Sequence, residues 1–218
     1  MSFSELALFH GLQENEVDVF VKNTSSVVKR YKKGDFALKP YEANPNIGVL
    51  LDGTAEVVTE DRYGHEFIGH SLERGALLGS ASAILSPEYS PSAVKALSAM
   101  SVLWIPYKAL ITAGPKLGRI HGIVMKNLLE AFCADKVLLM EKLNILSQKS
   151  IRERLILYLL QKERRQRKEK ITVPGRIQLA KELECNRSAL TREISLMKNE
   201  GILSEGADWM RLQKDKIE

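Results

Sequence analysis

The spacing of apolar positions changes period twice along the chain, and each change predicts a different kind of structure. From Phe3 to Lys22, the apolar residues Leu8, Phe9 and Leu12, then Val17, Phe20 and Val21, predict a helical turn followed by a short amphipathic helix. From Ser25 to about Ile105, short runs rich in Val, Ile, Leu, Thr and Tyr alternate with turn signals. These fall at Lys33-Gly34-Asp35, Asn44-Pro45-Asn46, Asp52-Gly53, Tyr63-Gly64 and Arg74-Gly75. Strands spaced about 8–12 residues apart indicate a small β-barrel or jelly roll. Ile47 to Gly53 reads as one strand ended by a turn, and Thr54 to Thr59 leads into a hairpin closed around Arg62-Tyr63-Gly64.

Near Pro115 the period becomes helical for about 30 residues. A stripe runs through Gly122, Met125, Leu129, Phe132, Lys136, Leu139, Leu143 and Leu146, while Ile120, Val124 and Leu128 form a second apolar set on an adjacent face. The second set suits packing against the β domain. The stripe has the spacing of a seam between two helices, so the expectation is a parallel homodimeric coiled coil, with packing inside one chain as the alternative. Lys136 favours the dimer, because its charge is costly in a monomer core and tolerable in a seam between chains. The seam residues are Met125, Leu129, Phe132, Lys136, Leu139 and Leu143.

The stripe breaks at Ser147-Gln148-Lys149-Ser150, which reads as a hinge. Ser150-x-x-Glu153 has the form of a capping box opening a new helix through Leu155, Ile156, Leu159 and Leu160. Lys162 to Lys170 is a charge run read as a solvated linker. Arg176 to Leu203 then has the layout of a helix-turn-helix. Ile177, Leu179, Ala180 and Leu183 are the apolar positions of the first helix, Cys185-Asn186 the turn, and Asn186 the N-cap of the second. That second helix buries Ala189 or Leu190, with Ile194 and Met197, and closes at Glu200-Gly201; a wing hairpin follows through Gly206 and Trp209 to Leu212. The fold class is α+β, with a β-roll at residues 1–114, a dimerisation helix at 115–146 and a winged helix-turn-helix at 147–218.

Charge sharpens this picture. The net charge is +5, yet residues 1–148 carry −1 and residues 149–218 carry +6. A basic domain joined to a neutral one is the electrostatic footprint of nucleic-acid binding. The only cysteines, Cys133 and Cys185, are far apart, which argues against a disulfide framework or a structural zinc site and suits a reducing cytoplasm. The N-terminal residues have neither a basic segment nor a long apolar run, so no signal peptide is expected, and no stretch is long enough for a membrane helix.

The chemistry of the second helix fits DNA. Arg187, Ser188, Thr191 and Arg192 lie on its exposed first turns and, with the capping Asn186, are the candidate DNA contacts of this helix. Arginine can form two parallel hydrogen bonds to guanine O6 and N7, and Ser or Thr can reach several bases or phosphates. Arg176, at the start of the supporting helix, is placed for a phosphate contact that orients without reading sequence.

Over almost its full length the chain resembles the CRP/FNR family of transcription regulators. The matching pieces begin with Leu8-Phe9-x-Gly11-Leu12, Tyr31-Lys32-Lys33-Gly34-Asp35, Leu50-Leu51-Asp52-Gly53 and Arg74-Gly75-x-x-x-Gly79. Glu153-Arg154-Leu155 before Leu159-Leu160, and Cys185-Asn186-Arg187-x-x-Leu190-x-Arg192, complete them. The resemblance implies a cyclic-nucleotide-binding-like β-roll, a long dimerisation helix and a winged helix-turn-helix on a palindromic operator, with RNA polymerase as a further partner. It places Arg187, Ser188 and Arg192 where the family reads bases. Ser188 stands where the best-known branches carry glutamate, so a different half-site is expected.

The resemblance also implies a sensor. In cAMP-binding relatives a Gly-Glu cassette and a following arginine hold the ribose and cyclic phosphate. Here these positions read Gly79-Ser80-Ala81-Ser82 and Ser90-Pro91-Ser92-Ala93, so the glutamate is Ser80 and the arginine is Pro91. Without the arginine the strongest bond to a buried phosphate is lost, which argues against cAMP. Lys95 is close in sequence, but strand alternation does not aim it inward. The N-terminal region has no cysteine, against an iron–sulfur cluster. Haem stays open, with His70 or Cys133 as axial ligand. His10, His65, His70 and His121 have no metal-ligand spacing, and neither a nucleophile–base pair nor paired carboxylates can be picked out, so no enzyme is expected. Gly79, Ser80, Ala81, Ser82, Ser92 and Ala93 form the candidate pocket for a small-molecule effector other than cAMP. The alternatives are a constitutive regulator with a vestigial sensor, or a β-roll protein with a solvated or RNA-binding basic tail.

Overall fold

A computed structural model describes residues 3–60, 66–85 and 92–217, excluding the side chains of residue 60 and residues 66–70. The expected hairpin tip at Arg62-Tyr63-Gly64, together with His65, Ser90 and Pro91, lies outside the described residues, as does the side chain of His70. Two compact units divide the chain, Met1–Phe132 and Cys133–Glu218, and their boundary falls inside a helix.

The first unit opens with a 3-10 turn, Ala7–Phe9, and helix α1, Glu14–Asn23. Eight strands follow: β1 Val27–Tyr31, β2 Phe36–Leu38, β3 Asn46–Asp52, β4 Ala55–Glu60, β5 Glu66–Leu72, β6 Leu77–Leu78, β7 Ala93–Ala96 and β8 Met100–Pro106. They make two antiparallel sheets in the orders β1-β8-β3-β6 and β2-β7-β4-β5. Helix α2, Ser80–Leu85, lies between β6 and β7 in sequence, and α3, Tyr107–Thr112, and α4, Gly114–Leu117, follow β8.

Strands β3 and β8 are buried nearly end to end, and alternation explains why each reads as an unbroken apolar run. Ile47, Val49 and Leu51 join Leu103 and Ile105 in a core shared with Phe9, Val17 and Phe20. Leu50, Val102 and Trp104 point the other way, into a core with Leu38, Ala55, Val94 and Ala96 of the second sheet. Gly48 makes room for the indole: a Cβ there would stand 2.8 Å from Trp104 Cζ3. The Trp104 Nε1–H donates to the Tyr31 hydroxyl at 2.9 Å, so the indole nitrogen is satisfied.

Helix α5 spans Arg119–Leu146. It does not start at Pro115 as the period suggested. Residues 114–117 form α4, and Gly118, at φ 48°, breaks the path with a left-handed residue that glycine tolerates. Val124 and Leu128 are buried in the first unit's core and Ile120 packs against it half-buried, in line with the second apolar set. Asn127, a polar residue the apolar pattern passes over, is buried beside them and donates from Nδ2 to the carbonyls of Leu8 and His10 at 3.0 and 2.8 Å.

The second unit holds α6, Ile151–Gln166, β9, Ile171–Thr172, α7, Arg176–Glu182, α8, Arg187–Asn199, β10, Leu203–Glu205, and β11, Trp209–Leu212. The strands form one sheet ordered β10-β11-β9. Ser150 and Glu153 make the expected capping box: Glu153 N donates to Ser150 Oγ at 3.1 Å, and Ser150 N to Glu153 Oε2 at 2.9 Å. Helix α6 runs into the charge run as far as Gln166, so Lys162 to Gln166 are helical rather than linker. Its last turns are held from outside, since Glu163 pairs with Lys214 at 2.7 Å and Arg165 with Glu141 at 3.0 Å.

Candidate nucleic-acid interface

Helices α7 and α8 owe their mutual position to a shared core of Leu179, Ala180, Leu183, Leu190, Ile194 and Met197, with Leu155 and Leu159 of α6. The choice between Ala189 and Leu190 resolves to Leu190, which is fully buried while Ala189 is half-buried. Ile177 departs from the expected stripe: it is 58% exposed in the first turn of α7.

The turn between the helices carries Glu184 at φ 48°, a left-handed conformation unfavourable for a residue with a Cβ. Arg154 holds it in place. Its guanidinium donates to the carbonyls of Leu183 at 3.2 Å, Glu184 at 3.4 Å and Gln148 at 3.1 Å. The Glu153-Arg154-Leu155 segment thus has three separate tasks: Glu153 caps its own helix, Arg154 secures the turn, and Leu155 fills the core.

Asn186 caps α8, its Oδ1 accepting from Ser188 N at 2.8 Å. Arg187, Ser188, Thr191, Arg192 and Ser195 are all exposed beyond it, on the face opposite Leu190, Ile194 and Met197. Among the described residues Arg187 and Arg192 have no ion-pair partner. By contrast Arg176 pairs with Glu205 of β10, which also receives Lys198 at 2.9 Å. Burial opposes the charge of Glu205, but hydrogen bonds from Lys198 and Arg176 outweigh it and hold its carboxyl below the ordinary range. Behind the exposed face, Arg152 of α6 binds Glu193 at 2.6 Å and both oxygens of Glu200 at 2.6 and 2.8 Å. These bonds keep the guanidinium protonated well above its usual range and the Glu200 carboxyl below its own. The wing closes through Gly206, whose N–H donates to the Trp209 carbonyl at 2.9 Å, and Lys170 lies 4.6 Å above the Trp209 ring.

The candidate effector positions take a different form. Gly79 sits at φ 65° against Asn44, a buried side chain that the sequence marks only as part of a turn. Asn44 Nδ2 donates to the Gly79 carbonyl and to Ser82 Oγ, each at 3.0 Å, and Ser82 Oγ donates to the Gly79 carbonyl at 3.0 Å. Ser82 and Ala93 are buried, Ser80 and Ser92 half-buried and Ala81 exposed. Lys95 lies across the Phe36 ring, 5.6 Å from its centroid. A cavity of about 210 Å³ is lined instead by Lys29, Tyr31, Lys39, Asn44, Asn46 and Trp104, among others. His121 Nε2 is bonded to the Leu110 carbonyl at 2.9 Å, and Cys133 is exposed on α5. Among the described residues no three His, Cys, Asp or Glu side chains gather as metal ligands, and no helix is long and apolar enough to cross a membrane.

The stripe on α5 divides. Met125 and Phe132 pack at the edge of the first unit's core, whereas Leu129, Leu139 and Leu143 are each about 60% exposed and Lys136 is exposed among them.

No protein-family model and no curated protein matches the chain in sequence. Solved structures do match in shape. CprK in complex with OCPA is 15% identical, with 88% of each chain covered and a TM-score of 0.64. The c-di-GMP responsive global regulator CLP of Xanthomonas campestris is 14% identical, covering 92% of this chain and 99% of its own, at 0.56. The catabolite activator protein of Thermus thermophilus is 18% identical, covering 95% and 94%, at 0.50. The chain therefore has the fold of these regulators: a β-roll, a long helix and a winged helix-turn-helix.

Proposed function

We propose that the chain is a sequence-specific DNA-binding transcription regulator of the CRP/FNR type, acting as a cytoplasmic homodimer and not as an enzyme. The observation that carries this is the exposed face of α8. It offers two arginines without ion-pair partners among the described residues, and three hydroxyls, on a helix whose other face is anchored by Leu190, Ile194 and Met197. A helix so held can enter a major groove with its N-terminal residues at base edges. Leu129, Leu139 and Leu143 would close on a second copy, so that two such helices meet a palindromic operator about one helical turn apart. Arg176 would add a phosphate contact from the start of α7.

The deciding experiment is selection of binding sites from random duplex DNA, followed by anisotropy titration of wild type and of Arg187→Ala/Arg192→Ala. Selection of a palindrome whose preference disappears in the double variant supports the reading. Equal affinity for all sequences, changed only in salt dependence, would favour a basic tail without sequence reading.

For the β-roll, we infer a sensor for a small molecule other than cAMP, with Gly79, Ser80, Ala81, Ser82, Ser92 and Ala93 as its pocket. A second reading, a regulator without an effector at this place, is favoured by the mutual hydrogen bonding of Asn44, Gly79 and Ser82, which leaves that turn satisfied internally. Operator titration with metabolite fractions separates the two: a fraction that tightens binding identifies a sensor, and indifference to every fraction identifies the constitutive form.

A further inference from the structure

The hydroxyls on the exposed face of α8 have their protons already assigned. The backbone N–H of Ser188 can only donate, and it lies 2.8 Å from Asn186 Oδ1. This fixes the Asn186 amide with its oxygen toward the helix. Ser188 Oγ lies 2.6 Å from the same oxygen, which cannot donate, so the hydroxyl proton points at Asn186. Outward, Ser188 presents lone pairs only. The same sorting holds further along the face: Thr191 Oγ1 donates to the Arg187 carbonyl at 2.9 Å, and Ser195 Oγ to the Thr191 carbonyl at 3.0 Å. Donors at this end of the helix come from Arg187, Arg192 and the Nδ2 amide of Asn186, whose oxygen is turned inward, and the hydroxyls supply acceptors.

In the major groove the amino groups of cytosine N4 and adenine N6 are donors, while guanine O6 and N7 and thymine O4 are acceptors. We infer that Ser188 is a specificity-determining residue that accepts from an amino-bearing base, cytosine or adenine, and rejects guanine and thymine at the position it faces. This rests on the DNA-binding reading above. An unconstrained serine would serve either kind of base by rotating its proton. Here rotation breaks the bond to Asn186, and an unrotated hydroxyl set against O6 or O4 leaves two acceptors facing each other without a proton between them.

The test is site selection from random duplexes with the full chain as wild type and as Ser188→Ala. Because residue 188 is exposed on the first turn of α8, alanine removes the hydroxyl without disturbing the core. The expected result is one position per half-site where wild type selects cytosine or adenine and Ser188→Ala selects nothing. Where that base is cytosine, replacing it with 2-pyrimidinone, which lacks the 4-amino group, should weaken wild-type binding about fivefold and leave Ser188→Ala unchanged. A hydroxyl-dependent preference for guanine or thymine, or identical sites from both proteins, would overturn the assignment while leaving DNA recognition intact. If wild type selects no sequence at all, the DNA-binding reading fails, and the role of Ser188 fails with it.

Discussion

Asn44 and Gly79 hold each other in place: the asparagine amide donates to the glycine carbonyl at 3.0 Å, across a turn where a larger residue has no room. A Cβ at residue 79 would run into Asn44 Nδ2 and stand 2.8 Å from Leu38 Cδ1, and the backbone there is left-handed at φ 65°. Gly79→Ala is therefore expected to lower the stability of the first unit by about 2 kcal/mol, in the range of strained backbone positions. Urea unfolding followed by Trp104 fluorescence would read this. An unchanged midpoint would mean that the turn yields without strain.

Glu205 gives a pH dependence with a definite sign. Its carboxyl is held below its ordinary 4.5, so its contribution to stability is fully present above that value and is lost as pH falls through the lower folded one. Glu205→Gln should cost about 2 kcal/mol at neutral pH, the scale of hydrogen bonds to a charged group. The gap between wild-type and variant melting temperatures should close below about pH 4.5. A gap that persists undiminished at pH 3 would contradict the pairing with Arg176 and Lys198.

The exposed stripe of α5 predicts a separable loss of assembly. Leu139→Asn with Leu143→Asn should convert a dimer to a monomer in sedimentation velocity without loss of far-ultraviolet circular dichroism, because neither side chain is buried in the single chain. Lys136→Leu, on the same stripe, should tighten the dimer. A dimer that survives the double substitution would place the interface elsewhere.

Arg154 predicts a loss specific to the turn. Arg154→Ala leaves the Leu183 and Glu184 carbonyls without their guanidinium donor while Glu184 stays left-handed. About 1–3 kcal/mol of stability should go, with hydrogen exchange rising first at residues 183–186. Uniform protection across the second unit would remove Arg154 from this role.

Much of this architecture is legible in sequence because the signals are local. Ser150 and Glu153 cap a helix through bonds three residues apart, and Leu190, Ile194 and Met197 repeat at helical spacing. What escapes is set by partners far along the chain. Asn44 meets Gly79 across 35 residues and Asn127 meets Leu8 across 119; the turn signal at Asn44 does not foretell its partner, and Asn127 does not stand out from its neighbours. Arg176 is legible as a cation at a helix start, but its pairing with Glu205 depends on where the wing strand returns. Ile177 fits a periodic pattern yet is left outside the core, in the first turn of a helix only seven residues long. The break at Gly118 is hidden in the sequence by the helical period on both sides of it.

Arg152 joins α6 to α8 through two glutamates, Glu193 within the helix and Glu200 at its C-terminal cap. The tilt of α8 is fixed by bonds made behind it, from residues that no base would touch. On the DNA-binding reading proposed above, Arg187, Ser188, Thr191 and Arg192 could be exchanged one at a time to suit new operators while the helix keeps its angle. Losing Arg152, Glu193 or Glu200 would shift every one of those readers at once, so variation is channelled to the outer face and withheld from the strut behind it.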